Sequence, residues 1–406
     1  MPFELTPFND KNDLAEYVRA FSSLTDPTTI RYLCRTHVPG WSNIPEKFIC
    51  VSQIVAGLTN QLFEVTVTLE SVSSKLKHSR VLFRIYGTYV GRLYDTKVEV
   101  EAFKYLGKVG IAPALIADFT GGRIEEFIDG DPLTAKQLKI TSVCTDIASI
   151  LGRLHTLNTS RKDFPSFFDK EPIAFKRLKL WRSEVVTQLS HLDSDLLTNI
   201  WTYFDKTFLE EMLNEANSIE ILILGASQSP TICSKLADIS LVYNAVFAHN
   251  DIQENNLLQV STGLKMIDFE YSNVNYAAAD IANFFCEFMY DYCHDKPPYF
   301  IEMRDSYPSK SLRKVFVAVY LSKIKQEEIL PDDDIVNTAV DIIETFTLLS
   351  HLSWGFWSIA RISGHHTNSL AFDFIQYSKV RFLHYLDKKK QLVQQGILPL
   401  KWDIYS

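Results

Sequence analysis

The sequence predicts an α+β chain of two lobes, the first an antiparallel sheet with one inserted helix, the second larger and mostly helical. Three observations carry this expectation. Between Phe48 and Ile128, short runs rich in β-branched and aromatic residues alternate with turn signals, and a single window there has helical period. After the turn-forming stretch "DGDPLT" the apolar spacing is mostly helical to the C-terminus, broken by paired short strands around His249–Asp268. The 406 residues are 46% hydrophobic, enough to fill two lobes with a ligand cleft expected between them.

Residues 1–47 form a lead-in, with helical spacing in "NDLAEYVRAFSSL" and again in "DPTTIRYLCRTHV". The first lobe, 48–128, opens with "FICVSQIVAG", "NQLFEVTVTLE" and "RVLFRIYG", read as three antiparallel strands separated by Gly57 and by the polar stretch Ser71–Ser79. The helical window "VEVEAFKYLGKVGI" follows, then Pro113, then "ALIADF", a Gly-Gly turn and "RIEEFIDG" as a second hairpin. This makes a five-stranded sheet. The second lobe, 129–406, is helical apart from the strands near His249.

Charge and cysteine usage narrow the function classes. A formal net charge of -8 leaves no basic footprint for a nucleic-acid backbone, so no nucleic-acid partner is expected. The six cysteines form no CxxC pair, which argues against a zinc site or a disulfide framework and suits a reducing cytoplasm. No signal-peptide layout opens the sequence, and the longest apolar stretch, "IEILILGA", is too short to span a bilayer. A cytoplasmic protein without stable membrane insertion is expected.

The chemistry is carried by "HNDIQENNLL" and the "MIDFEY" that follows. His249-x-Asp251-x4-Asn256, then Asp268 before Phe269, has the order and spacing of a kinase catalytic loop and its metal-binding aspartate. Phosphoryl transfer needs a carboxylate to hold and deprotonate the acceptor hydroxyl, and hard oxygen ligands for Mg2+. Asp251 fills the first role, Asn256 and Asp268 the second, and His249 braces the loop. A single Asp or Asn in a loop is more often a turn or cap; recurrence at these offsets between apolar strands shifts the balance.

The first lobe supplies matching parts. In "AGLTNQLFEV", Gly57, Thr59 and Asn60 can cover ATP phosphates with backbone N–H groups, a weak signal by itself. Arg84 stands where a kinase has its strand lysine and is expected to pair with phosphate and with Glu99, the alternative being a structural ion pair. The segment Glu125–Ile128 is expected to form the hinge, with Glu126 and Ile128 offering backbone groups to adenine. The metal aspartate is followed by "FEY" instead of "FG", and no "APE" segment follows. A protein substrate is therefore not expected.

Residues 247–292, "FAHNDIQENNLL…MIDFEYSNVNYAAADIANFFCEFMYDY", closely resemble the choline/ethanolamine kinase family, as do "GLTNQLF", "RIYG", "RIEEFI" and "LSWGFWSI". The resemblance covers nearly all of the chain from residue 48, with 205–245 matching least. It implies a protein-kinase-like fold, ATP and Mg2+ as cosubstrates, and a homodimer. It also implies phosphorylation of choline for phosphatidylcholine synthesis, with ethanolamine as the near alternative. An aminoglycoside-type phosphotransferase or a pseudokinase that only binds is the more distant one.

A quaternary ammonium has no N–H to donate, so it is held by aromatic faces and a carboxylate. Trp354 and Trp357 stand three apart on one expected helix, and Phe372 and Tyr377 are expected on the next. Spacing alone favours core for such residues. By residue match, the resemblance places Tyr292, Trp354, Trp357, Phe372 and Tyr377 in the choline cage, with Tyr271 and Glu287 near it. Phe284, Phe285 and Tyr290 are expected in the core, Asp280 is expected to cap a helix or brace the loop, and Glu270 is left open between metal and loop.

Overall fold

The computed structural model describes residues 24–54, 60–86, 96–157, 171–190, 194–226, 241–362 and 372–398. The chain divides into two compact units, Met1–Gly130 and Asp131–Ser406.

In the first unit, α1 (Pro27–His37) is followed by β1 (Ile49–Ile54), β2 (Gln61–Val67), β3 (Arg80–Ile85), α2 (Thr96–Lys108), β4 (Leu115–Phe119) and β5 (Gly122–Glu126). The five strands form one antiparallel sheet in the order β1-β2-β3-β5-β4, with α2 inserted as expected. Period-two alternation makes β2 half-buried, with Phe63, Val65 and Val67 inward. Pro27 pre-sets the first turn of α1, and Asp26 caps it by accepting from the Thr28 amide. Ile30 and Cys34 of that helix join Trp41 in one core with Val65, Phe83 and Ile124. The described part of the lead-in is thus a wall of the sheet's core. A one-turn helix, Glu70–Ser73, lies in the polar stretch read as a plain connection.

Gly122 follows Gly121, which has φ +89, in the β4–β5 turn, and a Cβ on Gly122 would lie 2.3 Å from the Arg84 carbonyl. The absent side chain is what lets β5 close on the strand that carries Arg84.

The second unit opens with β6 (Asp131–Pro132), α3 (Thr141–His155), α4 (Ala174–Leu189), α5 (Ser194–Tyr203) and α6 (Lys206–Ala226). Then come β7 (Ala245–Ala248), β8 (Leu257–Val260), β9 (Gly263–Met266), β10 (Asn273–Tyr276) and α7 (Ala277–Glu287). The chain continues through β11 (Tyr290–Asp291), β12 (Ile301–Glu302), α8 (Lys310–Lys325), α9 (Asp334–Ile362) and α10 (Phe374–Gln394). β8 and β9 form a hairpin, whereas β7 pairs with β10, Ala248 opposite Asn273. Both ends of the segment between β7 and β10 are therefore fixed in one ladder.

Most of α9 is buried, and α10 packs along it. A Cβ on Gly355 of α9 would come 2.3 Å from Cε1 of Phe382 on α10. Gly355→Ala is expected to cost about 1–3 kcal/mol through overpacking, visible as a lower Tm in a thermal melt. Among the described residues no helix is long and apolar enough to cross a membrane.

Candidate active site

β7 delivers the chain to His249, and the loop that follows is held from below by α7. The Asp280 carboxylate, fully buried in the first turn of α7, accepts from two consecutive amides, His249 N to Oδ2 and Asn250 N to Oδ1, both at 2.8 Å. Its Oδ2 also meets His155 Nε2 at 3.0 Å, and His155 Nδ1 meets the Tyr320 hydroxyl at 2.8 Å. Burial pushes this carboxyl up, but bonds from His155 and the His249 amide outweigh it and hold the group below its usual range. Asp280 is a loop brace, one of the two roles expected for it.

Asn250 sits at φ 67, a left-handed conformation that asparagine tolerates better than most residues. Its side chain locks that conformation: Nδ2 donates to the Tyr271 carbonyl at 2.9 Å, and Oδ1 accepts from Asn275 Nδ2 at 2.6 Å. His249 Nε2 lies 2.9 Å from the Ile267 carbonyl, and burial lowers its pKa, so a neutral ring donates there. His249 thus ties the loop to the residue before Asp268, as a brace. Asp268 is itself left-handed, at φ 62.

Asn256 Nδ2 donates to the Asp251 carbonyl at 2.8 Å and to Asp251 Oδ2 at 3.1 Å. The Asn256 carbonyl accepts from the Ile267 amide at 3.0 Å, extending the β8–β9 hairpin and bringing Asn256 beside the start of the Asp268 segment. Enclosure raises the Asp251 carboxyl well above its usual range, and the charges of Glu287, Glu270 and Asp268 add to this. Among the described residues no group of three or more His, Cys, Asp or Glu could hold a metal ion. The donor set still fits Mg2+, which takes one or two protein oxygens and completes its shell with water and phosphate. With Nδ2 committed to Asp251, Asn256 Oδ1 is the half of the amide left for a cation.

The residues between Asp251 and Asn256, spacers by sequence, have partners too. Gln253 accepts from the Asn255 amide at 2.9 Å, and Asn255 Oδ1 accepts from Cys293 Sγ at 3.5 Å. Glu254 is fully buried, and its Oε1 accepts from the Tyr292 amide at 3.3 Å; burial pushes its carboxyl up to about 8. These contacts fasten the segment carrying Tyr292 to the catalytic loop.

In the first unit, Arg84 and Arg123 stand opposite each other in the β3–β5 ladder, and Glu125 Oε1 accepts from both Nε atoms, at 2.7 and 2.6 Å. Arg123 Nη1 donates to Glu99 Oε1 at 2.6 Å. The Arg84–Glu99 pair expected from sequence is corrected: Arg84 meets Glu125, and Glu99 meets Arg123. The reason is the ladder, which buries a second arginine directly across from the first and so requires two carboxylates. Burial pushes the Glu125 carboxyl up, but Arg123 and Arg84 overcome it and keep the group ionised. Asn60 is buried at the start of this unit's second strand, while Gly57 and Thr59 lie outside the described residues. Glu126 ends β5, its Oε2 accepting from the Ala114 amide at 3.0 Å and its own amide donating to the Ala114 carbonyl at 2.8 Å; Ile128 follows, half-buried.

The aromatic residues of the second unit form a connected set. Phe372 lies 5.3 Å from Tyr377, 6.3 Å from Tyr292 and 4.9 Å from Phe374, ring centre to ring centre, and Phe374 lies 5.8 Å from Trp357. Trp357 Nε1 donates to the Tyr271 hydroxyl at 2.8 Å. Trp354 and Trp357 meet at 5.2 Å, but Trp354 turns its Nε1 to Asn283 Oδ1, at 2.7 Å, and packs on Trp181 and Tyr271. It lines a cavity of about 50 Å³ with Asn250, Asn275 and Asn283, on the side of the loop.

Four details differ from expectation. Phe372 precedes α10 instead of lying on it, because Asp373 caps that helix by accepting from the Gln376 amide. Tyr290, expected in the core with Phe284 and Phe285, is buried but joins this aromatic set, 5.5 Å from Tyr377. Glu287 already has partners for both oxygens, Arg381 Nη2 on Oε1 and the Tyr292 hydroxyl on Oε2. Phe300, Phe374 and Arg381 are not singled out by sequence, although Arg381 stands four residues after Tyr377, one turn along the same helix.

The model of the choline/ethanolamine kinase family matches residues 51–386. A choline kinase from Cryptosporidium parvum Iowa II is 49% identical in sequence with a TM-score of 0.80, over 92% of this chain and 98% of that one. "Probable choline kinase 3" of Arabidopsis thaliana is 29% identical over 91% of this chain and 95% of that protein. An ethanolamine kinase of Plasmodium vivax, 22% identical, shares the fold with a TM-score of 0.69 over 95% of this chain and 98% of that one. With a kinase-like catalytic loop in a mostly helical unit that follows an antiparallel sheet unit, and with a family match over most of its length, the chain belongs to the choline/ethanolamine kinase family.

Proposed function

We propose that this protein transfers the γ-phosphoryl group of ATP to the hydroxyl of choline, giving phosphocholine. The observation that carries the choice of alcohol is the linked ring set of Tyr292, Phe372, Tyr377 and Trp357, fastened to the catalytic loop through Glu254 and the Tyr292 amide. Aromatic faces attract a methylated cation without needing N–H groups to bind. A primary ammonium, as in ethanolamine, calls for free carboxylate oxygens, and those of Glu287 are taken. An aminoglycoside, which is polycationic, would need a more acidic wall than these rings offer.

Asp251 accepts the hydroxyl proton of the alcohol, and the Asn256 amide orients that carboxylate for it. Asn256 and Asp268 would hold Mg2+, which would supply positive charge to offset the clustered carboxylates and the phosphates. Arg84, immobilised on β3, faces phosphate as a fixed cation, and Asn60 offers its amide at the strand start. With the Glu126 amide spent on Ala114, the Glu126 carbonyl and the Ile128 backbone are the groups offered to the base. The cysteines Cys34, Cys50, Cys144, Cys286 and Cys293 are free, which suits the cytoplasm.

Competition kinetics with choline and ethanolamine test the reading: kcat/KM is expected to favour choline, and equal values would remove the preference. Trp357→Ala is expected to raise the choline KM by roughly 10-fold or more, the loss of one cation–π face with its packing, while the ATP KM holds. Equal change in both would make Trp357 a packing residue only.

A further inference from the structure

Glu287 is the carboxylate closest in chemistry to what a cationic headgroup seeks, and Arg381 decides what it can do. Arg381 is fully buried on α10 and makes a branched set of contacts. Its Nη2 reaches Glu287 Oε1, and its Nε and Nη2 donate to the Tyr377 hydroxyl at 2.8 and 2.6 Å. The guanidinium also lies 4.0 Å from the ring centre of Tyr290.

These bonds impose a direction on the hydroxyl protons. The Tyr292 hydroxyl donates to Glu287 Oε2 at 2.7 Å, so its oxygen is the acceptor in the 2.8 Å contact with the Tyr377 hydroxyl. The Tyr377 oxygen, in turn, accepts from Arg381. Every proton of the chain points toward Glu287. Burial pushes the Tyr292 and Tyr377 hydroxyls above their usual range, so both stay neutral donors. What the two tyrosines leave for a headgroup is ring surface.

We propose that Arg381 is a specificity-determining positioning residue: by neutralising Glu287 and turning both tyrosine hydroxyls inward, it makes the cage select a methylated ammonium over a primary one. The inference rests on the choline reading above. A primary ammonium entering this cage meets Glu287 and two tyrosine oxygens whose bonds are already made, so its N–H groups are poorly satisfied, a cost that trimethylammonium does not carry. Without Arg381, Glu287 becomes a buried carboxylate in need of a cationic partner, and a primary ammonium can bond to it directly.

The test compares kcat/KM for choline and ethanolamine in the full-length protein, unaltered and as Arg381→Met, Arg381→Lys and the double variant Glu287→Gln with Arg381→Met. The choline-to-ethanolamine ratio is expected to fall roughly 10–100-fold in Arg381→Met, the size of a charge-assisted hydrogen bond gained by the competitor. The ATP KM should hold, and Arg381→Lys should fall between. In the double variant, with no carboxylate to free, the ratio should return toward the unaltered value. Should Arg381→Met not fold, the Arg381→Lys and double variants still read the ratio. An unchanged ratio across the folded variants, with both alcohols losing turnover alike, overturns the proposal and leaves Arg381 structural. An unaltered protein that prefers ethanolamine, or that turns over neither alcohol, overturns the choline reading and the proposal with it.

Discussion

Asp251→Asn is expected to lower kcat by about 10²–10⁴-fold with ATP affinity kept, the contribution of a positioned general base. The substitution keeps shape and removes the ability to take a proton. Asn256 Nδ2 can still donate to the Asp251 carbonyl, so the loop retains its geometry. Choline-dependent release of ADP reads the loss, and calorimetric titration of ATP reads the binding. A variant within a few-fold of the unaltered kcat would show that the proton leaves by another route, and the loop carboxylate would then be a positioning group.

Asp280→Ala has the largest expected effect on stability, about 3–5 kcal/mol, because it leaves buried groups unpaired. The carboxylate is the acceptor for the His249 and Asn250 amides and for His155, all in a fully buried place. The sign with pH follows from its depressed folded pKa. Ionised Asp280 stabilises the fold above the unfolded carboxylate pKa, and that contribution fades as pH falls through the folded value. Denaturant unfolding of the unaltered protein and the variant should therefore show a gap that is full near neutrality and narrows in acid. A constant gap would assign the loss to packing instead.

Residues whose type and spacing are dictated by chemistry are readable from sequence. Asp251, Asn256 and Asp268 stand at offsets that a phosphoryl-transfer loop demands, and the five-stranded sheet follows from alternation and turn signals. β10 is not legible as a strand, since "NVNY" alternates Asn with apolar residues although both faces are largely buried, its Asn275 spent on Asn250. The Arg84 partner differs from expectation because the burial of Arg123 opposite it depends on register. Arg381 and Glu287 are 94 positions apart, and neither shows its partner locally.

The segment "DIANFFCE" carries more than a capping signal. Asp280, Asn283 and Glu287 fall at i, i+3 and i+7 among otherwise apolar residues, one polar stripe on a buried helix. The stripe serves the loop through Asp280, Trp354 through Asn283, and Tyr292 with Arg381 through Glu287. Three polar residues in a row on an interior helix face need partners from elsewhere in the fold, and the residue pattern alone states that need.

The chain of Arg84, Glu125, Arg123 and Glu99 has a consequence for turnover. A surface arginine gives up on the order of 2 kcal/mol of rotamer freedom when a ligand immobilises it. Arg84 is held in place when the sheet folds, with Glu125 at 2.7 Å. If Arg84 meets nucleotide phosphate as proposed, the nucleotide would find a guanidinium with little motion left to lose, its ordering done on folding and not repeated at each catalytic cycle.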